Sequence, residues 1–205
     1  MNLDAIAGIG HEPGGKPTGV VVLTHGAGGS RESALLKKIC DEWARRGWLA
    51  VRYNLPYRRR RPKGPPSGSA ATDQTGVVEA IELVRTMADG PVVAGGHSYG
   101  GRMTSMVVAE GTAKVDALTL FSYPLHPPGK PERLRTEHLP GIAAPTVFIH
   151  GTSDPFGSID ELRAAAALIP APTELVEVTG ARHDLGSKTL DVPVLAVDAA
   201  LRLLS

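Results

Sequence analysis

Pro91-Val92-Val93-Ala94-Gly95-Gly96-His97-Ser98-Tyr99-Gly100-Gly101 is the stretch on which the reading of this chain turns. Its first half is apolar and β-branched, as a strand buried on both faces of a parallel sheet must be. Its second half has the form G-x-S-x-G. In that form a strand turns sharply into a helix, and one hydroxyl is pushed clear of the sheet edge. Strand and helix pass close together at such a turn. Gly96 and Gly100 therefore stand where a Cβ would clash. Downstream, Met103, Met106 and Val107 recur at helical spacing, and Glu110-Gly111 supplies a stop.

The pentapeptide is weak by itself. With 24 Gly in 205 residues and eleven serines, about 0.15 accidental matches are expected. Context carries the rest. Two further elements follow in the order Ser…Asp…His, each just past an expected strand. Asp154 lies in Gly151-Thr152-Ser153-Asp154-Pro155-Phe156-Gly157, and His183 in Thr179-Gly180-Ala181-Arg182-His183-Asp184. A serine hydroxyl is a poor nucleophile until a base takes its proton, and that base needs a third group to set its tautomer. Ser98, His183 and Asp154 are the candidate nucleophile, base and acid. Each has a plain reading when taken singly: Asp-Pro starts turns, and a loop histidine is commonly solvated. Their conjunction, in this order, is what argues for chemistry.

Such chemistry needs donors for an oxyanion. The backbone N–H of Tyr99, next after the nucleophile, is one candidate. The second is expected in His25-Gly26-Ala27-Gly28-Gly29, after the first long strand, and Ala27 is the favoured residue. Gly26 and Gly28 are candidate pocket residues, because they let backbone approach a substrate. The loop matches neither G-x-x-x-x-G-K-[ST] nor G-x-G-x-x-G, which argues against nucleotide binding. His25 is expected to brace its own loop. Tyr57 and His126, in loops at the same edge, are further candidate pocket residues. Arg58-Arg59-Arg60-Arg61 reads first as solvated surface. Its place at the sheet edge also allows an anion site or a cover over the pocket. No His, Cys, Asp or Glu cluster has metal-ligand spacing, and no metal or cofactor is expected.

Along the chain, strands are expected at Thr18–Thr24, Trp48–Tyr53, the stretch before Ser98, Val115–Phe121, Thr146–His150 and Thr173–Thr179. Between them lie helical patterns. Leu35, Ile39 and Trp43 repeat every four residues in the first, with Ser30 as its expected cap and Gly47 as its stop. Thr72–Ala88, Ser158–Ile169 and Asp191–Leu204 are the other clear ones. Asn54 to about Ala71 and Ser122–Gly141 read as long loops. This alternation predicts an α/β fold: a mainly parallel sheet of about six or more strands with helices on both faces. Right-handed crossovers then bring the His25 loop, the arginine segment, Ser98, Asp154 and His183 to one carboxyl edge.

Length and composition bound the function. The 205 residues fit one domain, 1–205. Net charge is +1, from 22 basic and 21 acidic residues, so no global field favours nucleic acid or a membrane surface. Cys40 is the lone cysteine and sits on an apolar helix face, as a small core residue does. No apolar run reaches membrane-span length, and no signal-peptide pattern opens the chain, so a cytoplasmic location is the default expectation.

The chain resembles the α/β-hydrolase superfamily in its small, lidless, dienelactone-hydrolase-like form. The resemblance rests on Leu23 to Gly29, Gly96 to Arg102, Gly151 to Gly157 and Arg182-His183. More narrowly, Arg52-Tyr53-Asn54-Leu55-Pro56-Tyr57 and Tyr123-Pro124-Leu125-His126-Pro127-Pro128-Gly129-Lys130-Pro131 are similar to the testis-expressed hydrolase-like proteins and a subunit of the nonspecific-lethal histone acetyltransferase complex. The resemblance implies a carboxylic ester hydrolase acting through an acyl-enzyme on a small ester or thioester, with Ser98, Asp154 and His183 in their usual roles. The antiparallel strands that usually precede the first parallel strand have little sequence here. The segment Ser122–Gly141 is too short for a helical cap, which implies an open site. Two other functions compete: a non-catalytic interaction module, and a binder of small anions through the arginine segment.

Overall fold

The computed structural model describes residues 2–205. Its centre is a seven-stranded sheet: β1 (Gly8–His11), β2 (Val20–Thr24), β3 (Leu49–Tyr53), β4 (Val92–His97), β5 (Ala117–Phe121), β6 (Thr146–Gly151) and β7 (Thr173–Val178). Their order across the sheet is β1-β3-β2-β4-β5-β6-β7. All pairs are parallel except β1 with β3.

The central strands read as unbroken apolar runs because both faces are covered. Val20 and Val22 of β2, with Val92 and Ala94 of β4, join one core cluster. Val21, Leu23 and Val93 join the other. Helices α3 (Ala70–Arg85) and α4 (Tyr99–Ala109) close the first cluster; α1 (Ala34–Arg45) and α6 (Val192–Leu204) close the second. On α1, Leu36, Ile39, Cys40 and Trp43 are fully buried, and each such apolar side chain contributes about 1.5–3 kcal/mol. Helix α5 (Ile159–Ala166) starts with a capping box, the Ser158 hydroxyl and the Glu161 carboxylate each serving the other's backbone. No helix among the described residues is long and apolar enough to cross a membrane.

Three local expectations change. Ser33, not Ser30, stands at the start of α1; Ser30 Oγ instead accepts from the Glu32 N–H at 3.2 Å. The four residues of β1, all half-buried, carry no apolar alternation to announce a strand. Within the expected loop after Asn54 lies a five-residue helix, α2 (Pro56–Arg60). A helix this short does not nucleate by propensity. Pro56 presets its first turn, and the buried Asp73 carboxylate accepts the Tyr57 N–H at 3.0 Å.

Candidate active site

Ser98 sits between β4 and α4 with φ +51° and ψ −117°, a strained conformation for a residue with a Cβ. Close packing over-determines it. A Cβ on Gly96 would come within 2.6 Å of Thr24 O, and one on Gly100 within 2.5 Å of His25 O. The Ser98 N–H donates to Phe121 O at 2.8 Å. The turn therefore stays where the sheet edge puts it, with the hydroxyl facing a cleft.

Two other strand ends bring the partners. His183 Nε2 lies 2.8 Å from Ser98 Oγ. His183 Nδ1 lies 2.8 and 3.0 Å from the two Asp154 carboxylate oxygens. The N–H of Phe156 donates to Asp154 Oδ1 at 2.9 Å. Burial pushes the Asp154 carboxyl up. The bonds from His183 and Phe156, with the nearby charges of His183 and His150, outweigh that and hold it below the ordinary range. Asp154 is thus an ionised acceptor that keeps the proton of His183 on Nδ1 and leaves Nε2 free to accept from Ser98. The Phe156 ring stacks on His183 with centroids 4.2 Å apart, and His97 Nε2 donates to His183 O at 2.7 Å. Ring and backbone of His183 are both held.

The loop after β2 is fixed from behind. Gly26 O accepts from His25 Nδ1 at 2.9 Å and from the Tyr57 hydroxyl at 3.1 Å. Ala27 O accepts from the Tyr57 hydroxyl at 2.8 Å and from Arg58 Nη2 at 3.3 Å. In a trans peptide the C=O and the following N–H point opposite ways. Pinning Gly26 O toward Tyr57 therefore turns the Ala27 N–H away from Tyr57. Neither that N–H nor the Tyr99 N–H donates within the described residues, and both residues line the cleft with Ser98. Burial, then the charges of Arg58 and His97, push His25 down to about 4 against its bond to Gly26 O. It is neutral, donating from Nδ1 and accepting the Leu55 N–H on Nε2 at 3.3 Å.

The cleft has a volume of about 650 Å³. Gly26 and Gly28 line it, as the sequence suggests, and a Cβ on Gly26 would strike His97 Nδ1 at 2.8 Å. Tyr57 and His126 do not line it. Tyr57 is fully buried behind the loop. His126 is buried too, with Nδ1 2.9 Å from Pro127 O and Nε2 3.6 Å from Glu161, and it ties its loop to α5. The arginine segment divides. Arg59, Arg60 and Arg61 are exposed, whereas Arg58 is buried and its guanidinium donates to backbone carbonyls. Sequence reasoning missed the lining roles of Arg102, Arg135 and Phe156. Only Arg102 had a signal, its place one turn after Ser98. A larger groove of about 770 Å³, between α1 and the loop before α6, holds none of Ser98, Asp154 or His183.

A family model described as "Alpha/beta hydrolase domain" matches residues 17–191. Among solved structures, dienelactone hydrolase from Anabaena variabilis is similar with a TM-score of 0.72 and 22% identity, over 95% of this chain and 88% of that one. A lidless α/β serine hydrolase from Xanthomonas campestris gives 0.72 and 17%, over 95% and 88%. An alpha-beta serine hydrolase homologue from Coxiella burnetii gives 0.71 and 16%, over 96% and 89%. These likenesses extend over nearly the whole chain and concern the fold.

Proposed function

The chain belongs to the alpha/beta hydrolase family, and from that premise we propose that it is a serine hydrolase cleaving small carboxylic esters or thioesters through an acyl-enzyme. The observation that carries this reading is the unbroken hydrogen-bonded chain Ser98–His183–Asp154 at the floor of the cleft. Its geometry fits nucleophile, base and orienting acid.

In the first half-reaction Ser98 Oγ attacks the carbonyl carbon as its proton passes to His183 Nε2. The carbonyl π pair becomes an oxyanion facing the N–H groups of Ala27 and Tyr99. Loss of one such donor typically costs about 10²–10³ in rate. Collapse re-forms the carbonyl and expels the alcohol or thiol, which leaves with the proton of His183. In the second half-reaction water attacks the acyl group and gives its proton to His183. Ser98 then departs, recovers that proton and frees the acid. Asp154 stays ionised and balances the transient imidazolium. The segment Ser122–Gly141 passes beside the cleft without building a helical cap, which favours compact acyl groups.

A fluorophosphonate probe with intact-mass readout tests the reading. One adduct on the wild type, absent from Ser98→Ala, is the expected result. A folded wild type that takes no label overturns it in favour of a non-catalytic module built on the same fold.

A further inference from the structure

The cleft beside Ser98 is bounded by two guanidinium groups without a matching acid. Arg102 sits on α4, where its N–H donates to Ser98 O at 3.0 Å. Arg135 comes from the Ser122–Gly141 segment, and its Nη1 donates to Pro124 O at 3.1 Å. Both line the cleft together with Ser98 and His183. The Nε of Arg102 is buried and has no hydrogen-bond partner. Neither residue forms an ion pair among the described residues, whereas Arg45, Arg46, Arg52, Arg163 and Arg202 all do.

Their surroundings register the excess charge. Burial and then Arg102 hold Arg135 below the usual guanidinium range. Burial and then Arg102 push His138 down to about 4. Glu137 is exposed and forms no ion pair with either arginine among the described residues. Asp73 is occupied by the Tyr57 N–H and the Tyr99 hydroxyl, and Asp154 by His183. Like charges brought together around a desolvated donor are unfavourable unless an anion joins them, and each uncompensated buried donor calls for an explanation.

We propose that Arg102 and Arg135 form a carboxylate subsite, so that the preferred substrate is a small ester or thioester carrying a second, free carboxylate. A planar guanidinium matches the two oxygens of a carboxylate in one plane. One N–H of Arg135 is already committed to Pro124 O, and the side chains of Pro124 and Phe156 in the same lining are apolar, which suits a singly charged acid with a hydrocarbon body. The carboxylate therefore fits better than a phosphate. Calling its bearer a substrate rests on the hydrolase reading; binding of the anion does not.

Matched esters test the proposal. Mono-4-nitrophenyl adipate against 4-nitrophenyl hexanoate places the charge on the acyl side, and 4-acetoxybenzoate against phenyl acetate places it on the leaving group. The quantity read is the anionic-to-neutral ratio of kcat/KM. In at least one pair it is expected to favour the anionic ester by about tenfold or more, and to fall by about tenfold in Arg102→Gln and in Arg135→Gln, mainly through KM. Calorimetric titration with adipate, benzoate and inorganic phosphate follows binding without turnover. Arg135 lies outside the elbow helix, so its variant stays readable if Arg102→Gln disturbs α4. Equal hydrolysis of both esters, with no acid binding, overturns the subsite and leaves the hydrolase reading intact. Arginine-dependent acid binding with no hydrolysis of any ester supports the subsite and overturns the hydrolase reading. Phosphate binding more tightly than either acid overturns the carboxylate assignment.

Discussion

Behind the Gly26–Gly29 loop, the guanidinium of Arg58 is buried and donates to the carbonyls of Ala27, Gly29, Arg61 and Gly64. Across the cleft, Arg102 and Arg135 have one side-chain hydrogen bond between them, from Arg135 to Pro124 O. The run of four arginines is the conspicuous feature in the sequence, yet its buried member is spent inside the fold. The isolated Arg102 and Arg135 keep their charge for something that enters the cleft. Density of charge along a chain does not reveal which charges are available; the partners that fold against them do. On the proposed reading the Gly26–Gly29 side supplies the Ala27 donor for the oxyanion, and the Arg102–Arg135 side selects by charge.

On the proposed reading both walls serve one nucleophile, Ser98. Ser98→Ala is expected to lower kcat for anionic and neutral esters alike by about 10⁴-fold or more. A variant that still hydrolyses either ester at the wild-type rate breaks the comparison at its base. The next effect is on stability. Arg58→Met leaves the carbonyls of Gly29, Arg61 and Gly64 without their side-chain donor, and Ala27 O with the Tyr57 hydroxyl alone, and is expected to lower the unfolding free energy by about 2–4 kcal/mol in urea titration. Arg102→Met removes a charge that nothing in the fold uses and is expected to stay within about 0.5 kcal/mol of wild type. Equal losses in the two variants would erase the distinction between the regions.

Tyr57→Phe sharpens the functional side. It keeps the ring and removes the hydroxyl that holds Gly26 O and Ala27 O. The expected loss is about tenfold in kcat for charged and neutral esters equally, with the ratio between them unchanged. A changed ratio would mean that the two walls are not separable. The smallest effect is acid sensitivity of the pinned wall. His25 has its folded pKa at about 4, against 6.5 for the free group. Between those values the unfolded chain binds the proton and the folded one does not. Its contribution is therefore intact above 6.5 and lost as pH falls toward 4. A loss on the order of 1 kcal/mol is expected near pH 5, read from urea midpoints there and near pH 7.5. Midpoints that do not move would contradict a neutral, buried His25.

Much of this architecture is legible in the amino-acid sequence. The apolar runs around Val20–Val22, Val92–Ala94 and Val147–Ile149 declare strands because both sheet faces are buried. Gly96 and Gly100 declare the elbow because a Cβ is excluded there. Strand β1 was illegible because it is a short, half-buried edge, and helix α2 because Asp73, sixteen residues downstream of Tyr57, caps it through space. Tyr57 and His126 were misread as pocket residues for a related reason. Their loops start at the correct edge, but which side of a loop its side chain takes depends on what packs behind it. For Tyr57 that is the Gly26–Ala27 backbone; for His126 it is the start of α5.

The sequence by itself determined the strand and helix order, the glycine-enforced turn at Ser98 and the edge at which Asp154 and His183 emerge. These follow from local sterics, from hydrophobic periodicity and from the fixed hand of crossovers. Only the tertiary structure decided that Ser98, His183 and Asp154 meet within hydrogen-bond distance, that the Tyr57 hydroxyl holds Gly26 O and so turns the Ala27 N–H away from it, and that Arg102 and Arg135 pair with no acid among the described residues. Hydrogen bonds and charge pairing act over a few ångströms between residues as far apart in the chain as Ser98 and His183, 85 positions, and no pattern along the chain encodes such distances.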